Sequence, residues 1–129
     1  MIKILTCGVF DILHIGHIDF LRNASLFGDL LIVAVSTDEC AEKYGKKTIQ
    51  SFEHRVEIVR SLYCVDMVIP QNSREERQRV IYELCIDTFV TSDKYIGVEY
   101  FNPEGCEVIY LPCNQNISTS LIKEAIKNG

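Results

Sequence analysis

The chain contains no tryptophan, only three prolines and three histidines, and no Cys-x-x-Cys pair among its six cysteines. It also lacks internal repeats, low-complexity tracts and any linker-like stretch. No apolar run approaches the roughly 18 to 20 residues that a membrane span requires, so no membrane partner is expected. Positive charge is the scarcer sign, with 13 Lys and Arg against 18 Asp and Glu, for a formal net charge of −5. Such a balance argues against a nucleic-acid partner, while a local basic cluster could still hold a small anion. Most cysteines lie in apolar runs such as Ile4-Leu5-Thr6-Cys7 and Tyr82-Glu83-Leu84-Cys85. That setting fits reduced thiols packed as small hydrophobes better than a disulfide framework. Met1-Ile2-Lys3 opens no signal-peptide core, and a cytoplasmic protein is expected.

The 129 residues present amount to about one domain and can bury roughly two-thirds of their unfolded surface. One domain over residues 1–129 is expected, with no separate cofactor and substrate domains. Hydrophobic residues make up 47% and charged residues 24%, which excludes general disorder.

Short β-rich runs alternate with helical stretches. Residues 2–7 and 30–36 read as buried strands, with shorter strands over 66–70, 87–92 and 107–112. Ile15, Ile18, Leu21, Ala24 and Phe27 fall near helical spacing and predict a helix over 15–27, stopped by Gly28. Further helices are expected over 52–63, 74–85 and 119–127. This alternation predicts an α/β fold, a parallel sheet of about five strands with helices on both faces. Ligands of such sheets bind beyond the carboxyl ends of the strands, near the switch in strand order. The places to search are therefore Gly8 to His17, Ser36 to Asp38, Ser92-Asp93 and Asn114 to Ser120.

The most informative segment is Gly8-Val9-Phe10-Asp11-Ile12-Leu13-His14-Ile15-Gly16-His17, where a buried strand turns into a helix. Backbone N–H groups at such a helix start are free to bind anions. His14 and His17 stand three apart across Gly16, so both imidazoles can face one side while the glycine lets a phosphate approach the backbone. Two imidazole donors over a helix N-terminus suit phosphoryl or nucleotidyl transfer, which needs mainly positioning and charge stabilisation. The plainer account makes one histidine a helix cap and the other a packing residue. A zinc site with Cys7 or Asp11 as third ligand is disfavoured, because Cys7 lies inside the strand and no further histidine is near in sequence.

The sequence resembles the His-x-Gly-His nucleotidyltransferase superfamily, and within it the cytidylyltransferase branch that acts on glycerol 3-phosphate. The resemblance is carried by Gly8-x-Phe-Asp-x-Leu-His-x-Gly-His17, Gly28-Asp29, Ser36-Thr37-Asp38-Glu39, Glu53-His54-Arg55, Val65-Asp66, Ile117-Ser118-Thr119 and the final Ile-Lys-Glu. It covers essentially the whole chain. It implies a Rossmann-like fold, a homodimer, and transfer of CMP from CTP to a phosphorylated small alcohol with release of pyrophosphate. The acceptor would be glycerol 3-phosphate or a related polyol or amino-alcohol phosphate, and Mg²⁺ would accompany the triphosphate, with no residue assigned as its direct ligand.

The same resemblance distributes roles. His14, His17 and Lys46 would be catalytic, the lysine reaching the phosphates from a loop in the basic stretch Lys43-Tyr-Gly-Lys46-Lys47. Gly8, Val9, Phe10, Asp11, Gly16, Asp38, Ser92, Asp93, Tyr95, Ile117, Ser118 and Thr119 would bind nucleotide, with Asp11 organising its loop. Arg55, Lys94 and Asp66 would serve the substrate side. Plainer accounts stand beside these roles: a solvated basic face for Lys46, helix capping for Ser118 and Thr119, and a weak surface ion pair for Arg55.

Three departures from the family pattern mark the chain. Tyr63 and Cys113 stand where the family has arginines, with Arg60 as an imperfect substitute for the first, and Ser92-Asp93-Lys94-Tyr95 replaces Gly-Asp-Asp-Trp. An arginine fork makes two charge-assisted hydrogen bonds to phosphate that neither tyrosine nor cysteine can replace. Two other readings therefore stand: an ATP-using adenylyltransferase of the same superfamily, and a catalytically weak nucleotide-binding regulator.

Overall fold

The computed structural model describes residues 1–98 and 103–112. Five strands form its sheet: β1 (Lys3–Gly8), β2 (Leu30–Ser36), β3 (Met67–Gln71), β4 (Thr88–Ser92) and β5 (Glu107–Leu111). All are parallel, in the order β3-β2-β1-β4-β5. The central strand β1, Lys-Ile-Leu-Thr-Cys-Gly, and its neighbour β2, Leu-Leu-Ile-Val-Ala-Val-Ser, are nearly continuous apolar runs. A strand covered on both faces needs that composition.

Alternation along the strands sorts the core into two layers. Ile4, Leu31, Val33, Val35 and Val90 face one side, where α1 (Ile15–Ser25) adds Leu21 and Ala24 and α3 (Phe52–Arg60) adds Val59. Leu5, Ile32, Ala34 and Phe89 face the other, against Ile81 of α4 (Glu76–Glu83) and Ile86. Helices thus cover both faces, as expected.

Boundaries differ in places. α1 ends at Ser25 rather than Phe27, because Leu26 becomes its C-cap and is 80% exposed. α4 is trimmed at both ends. A helix not expected from the sequence, α2 (Asp38–Lys43), follows β2 directly, with the Thr37 side chain capping it by accepting from the Cys40 N–H at 3.1 Å. Its six residues are too few for a periodic signal. The helix expected over 119–127 lies outside the described residues.

Topology places the site. The chain runs from β1 outward to β2 and β3, then crosses to the far side of β1 to lay down β4 and β5. Neighbouring connections therefore diverge between β1 and β4, which opens a crevice at their carboxyl ends. Asp66 is at the opposite end of the sheet: it precedes β3, and its carboxylate accepts from the Leu31 N–H at 2.8 Å, near the start of β2. This corrects its assignment to the substrate, since it pins strand register at the edge away from the crevice. Asp66→Ala is expected to cost about 1 kcal/mol by urea unfolding and to leave turnover at the wild-type level. A selective loss of turnover would return Asp66 to the site.

Candidate active site

The loop leaving β1 is built from unusual backbone. Phe10 and Ile12 sit at φ 55° and 49°, in the left-handed region, at a cost of about 1 kcal/mol or more each. The buried Phe10 ring folds back over Gly8, where a Cβ would lie 2.8 Å from it, and meets the His17 ring edge-on at 5.7 Å. Phe10 and Gly8 thus shape the wall behind the histidine.

His14 and His17 begin α1 as a reciprocal cap. His14 Nδ1 accepts from the Gly16 N–H at 3.0 Å, and His17 Nδ1 accepts from the His14 N–H at 3.2 Å. An Nδ1 that accepts carries no proton, so each ring holds its proton on Nε2 as a donor. The ring centroids are 4.0 Å apart, and the first turn of α1 contains no acidic residue. Capping therefore uses only Nδ1 of each ring and leaves Nε2 out of the cap. Both histidines are held neutral. Burial lowers His14, and burial, His14 and Lys46 together bring His17 down to about 4, against a weaker upward pull from Asp11.

Arg55 organises the ground beneath the pair. Its side chain is 0% exposed and its guanidinium donates to four acceptors: Val9 O and Ser36 O at 2.7 Å each, Gln50 O at 3.1 Å, and the Asp38 carboxylate at 2.6 Å. It joins the ends of β1 and β2 to α2 and to the segment before α3. Arg55 therefore corrects two expectations: it is neither a surface pair nor in reach of a substrate, and it acts by positioning. Asp38 also accepts from Thr48 Oγ1 at 3.2 Å and the Phe52 N–H at 3.3 Å, and the hydrogen bond from Arg55 foremost holds its carboxyl below the ordinary range.

Asp11, also buried, accepts from the Ile49 and Gln50 N–H groups at 2.9 and 3.0 Å, while the Ile12 N–H donates to Gln50 Oε1 at 3.0 Å. Two of the three acids expected at the nucleotide, Asp11 and Asp38, therefore bind the protein's own loops. Gln50, which carries no motif, is a residue that sequence reasoning missed. Between these ties stands Lys46. Gly45, at φ 83°, ends α2 with the Gly45 N–H donating to Glu42 O and the Lys46 N–H to Ala41 O, at 3.0 and 2.9 Å. This double C-cap fixes the Lys46 backbone, and the Lys46 ammonium acts on His17.

Across the crevice, Ser92 ends β4 and caps a short 3₁₀ turn (Asp93–Tyr95) by accepting from the Lys94 N–H at 3.4 Å. Lys94 Nζ lies 5.0 Å from the Tyr95 ring. Topology thus brings Ser92, Asp93, Lys94 and Tyr95 to the strand end beside that of the histidine loop, and Val9 contributes its carbonyl to Arg55. Ile117, Ser118 and Thr119, with Cys113, fall outside the described residues. Cys7 stays with the core, where loss of water raises its thiol pKa despite Arg77 nearby. A half-buried thiol kept protonated in this way is a poor nucleophile.

Comparison with known proteins gives a consistent result. A family model described as cytidylyltransferase-like matches residues 5–125. The chain is 44% identical to glycerol-3-phosphate cytidylyltransferase of Bacillus subtilis (strain 168) over 98% of both chains. It is 38% identical to the enzyme of that name from Staphylococcus aureus, over 98% of this chain and 96% of the other. Among solved structures it resembles the lipopolysaccharide core biosynthesis protein of Thermoplasma volcanium, with a TM-score of 0.74 and 25% identity over 89% of this chain and 99% of that one.

Two outcomes test this geometry. Arg55→Lys keeps the charge but loses the planar fork, and is expected to cost on the order of 3 kcal/mol in urea unfolding. A loss below about 1 kcal/mol would remove Arg55 from the centre of the site. His17, lowered from 6.5 to about 4, binds its proton in the unfolded chain first. Its contribution is intact above pH 6.5 and is lost as pH falls toward 4, by about 3 kcal/mol at the limit. Stability measured from pH 7 to 4.5 should fall more steeply for the wild type than for His17→Gln. Parallel curves would contradict the burial of a neutral imidazole.

Proposed function

The chain belongs to the cytidylyltransferase-like family, and from that premise we propose that it transfers CMP from CTP to glycerol 3-phosphate, releasing pyrophosphate and forming CDP-glycerol. The observation that carries the proposal is the pair of outward Nε2–H donors at the start of α1, in the crevice between β1 and β4 and within the field of Lys46.

The acceptor's phosphate oxygen attacks the α-phosphorus of CTP, a new P–O bond forms, and the bond to the pyrophosphate oxygen breaks in line. No covalent enzyme intermediate is needed. Charge grows on the phosphoryl oxygens and on the leaving pyrophosphate. His14 and His17 donate to those oxygens from Nε2, the start of α1 adds its backbone dipole, and Lys46 supplies the full positive charge. Neutral imidazoles beside one lysine avoid gathering three cations in an empty site. Lys94, at the end of β4, can offer a further cation from the other wall.

Mg²⁺ would accompany CTP and would neutralise part of the triphosphate charge. The carboxylates of Asp11 and Asp38 are already engaged by N–H groups and Arg55, in keeping with an ion brought by the nucleotide. A cytoplasmic enzyme fits the free state of the five cysteines among the described residues. No helix among those residues is long and apolar enough to cross a membrane. A homodimer fits edge strand β3, whose first residue Met67 is 44% exposed and which Tyr63, fully exposed, precedes by four residues.

Pyrophosphate release measured with each nucleoside triphosphate against phosphorylated alcohols and sugars is expected to show turnover for CTP with glycerol 3-phosphate. Turnover with ATP alone would establish the adenylyl reading. Nucleotide binding without turnover by any pair would establish the regulatory one. His17→Ala is expected to lower kcat by roughly 10²–10³ while the chain still folds, and a near-normal rate would remove the histidine pair from the mechanism.

A further inference from the structure

The device that carries Lys46 is short of support from its own helix. α2 has six residues, fewer than two turns, and isolated helices of that length do not hold their ends. The two ends of α2 are instead tied to the end of β3 and to the connection that follows it. At its start the Thr37 N–H donates to Gln71 O at 3.0 Å. At its end Tyr44, the C-cap residue, lies under the Arg74 guanidinium, 3.8 Å from the ring centroid. The same connection brings Glu75 into the field of Lys43, the last residue of α2.

We propose that Arg74 is a positioning residue, whose stacking on Tyr44 clasps the end of α2 and holds Lys46 toward the histidine pair. The chain of contacts is short. Arg74 grips the Tyr44 ring, and Gly45 and Lys46 then close the double C-cap on α2. Lys46 leaves the cap two residues beyond the clasped ring, itself exposed and acting on His17. Without the clasp, the lysine would keep the cap behind it and the ties of Thr48 and Ile49 ahead of it, but the helix end that carries it would be free to fray. Arg74 acts through Tyr44 and needs no contact with nucleotide. This inference rests on the proposed role of Lys46 at the phosphates.

The test combines a ligand-free readout with a kinetic one, on Arg74→Ala, Arg74→Lys, Tyr44→Ala, Tyr44→Phe and the double alanine variant. Tryptic cleavage between Lys46 and Lys47 of the unliganded protein, followed by mass, should be about three- to fivefold faster in either alanine variant. Arg74→Lys and Tyr44→Phe each keep a cation over a ring and should stay within about twofold of wild type. The double variant should be cut no faster than either single one, because one contact is lost once. In turnover, both alanine variants should lose about fivefold in kcat/KM for CTP, with KM for glycerol 3-phosphate unchanged. Unchanged cleavage in Arg74→Ala would overturn the clasp. Loss of turnover in Arg74→Ala with a normal rate in Tyr44→Ala would overturn positioning in favour of direct contact between Arg74 and the nucleotide. A wild type that turns over no CTP, with the cleavage differences intact, would overturn the catalytic role of the clasp together with the proposed function.

Discussion

One buried guanidinium connects everything that the crevice needs. Arg55 reaches from α3 to the carbonyls of Val9, Ser36 and Gln50 and to the Asp38 carboxylate. Burying such a charge costs several kcal/mol unless it is paired and its donors are satisfied. Here the pairing is asymmetric. The guanidinium is wholly buried while the Asp38 side chain is 51% exposed, so only one of the two ions gives up its water. The three carbonyls belong to a strand end and to loops at the mouth of the parallel sheet, where the ladder between β1 and β2 stops. A charge at that point converts separate loops into one floor.

On that floor, economy of charge explains the histidines. An acidic chain of net charge −5 that takes up a triphosphate has to gather its positive groups in one place. Gathering them permanently would destabilise the empty site. Imidazoles avoid the conflict, because they donate hydrogen bonds while neutral. Their Nδ1 atoms close the start of α1, which removes rotational freedom from both rings and aims the other nitrogen outward. The left-handed backbone at Phe10 and Ile12 is strain held by this arrangement. It turns the chain sharply enough to bring the Phe10 ring behind His17. Local strain, cap and chemistry are therefore one structure.

Much of this was legible in the chain itself, and the remainder was hidden for identifiable reasons. The strands could be read because β1 and β2 are buried on both faces and must be apolar throughout. The histidine pair could be read because helical spacing and a strand tip are local properties. Arg55 could not, because a charged residue in Glu-His-Arg looks the same whether it ends in solvent or among four protein acceptors. Its burial depends on partners 17 to 46 residues away. Asp66 misled for the opposite reason: a matching residue suggested the site, while the parallel sheet puts the start of β3 at its far end. α2 escaped notice because six residues carry too little periodicity. Gln50 escaped because a side-chain amide that receives one backbone N–H has no sequence signature.

The central claim is that both imidazoles are neutral, protonated on Nε2 and turned outward because their Nδ1 atoms cap α1. Long-range ¹H–¹⁵N spectra of the histidine rings test it directly, with exposed His54 as the internal control. At pH 7.5 His14 and His17 should both show the Nε2–H tautomer, and CTP should shift their Nε2 signals while leaving His54 in place. A proton on Nδ1 of either ring, an imidazolium at that pH, or a response to CTP confined to His54 would contradict the account.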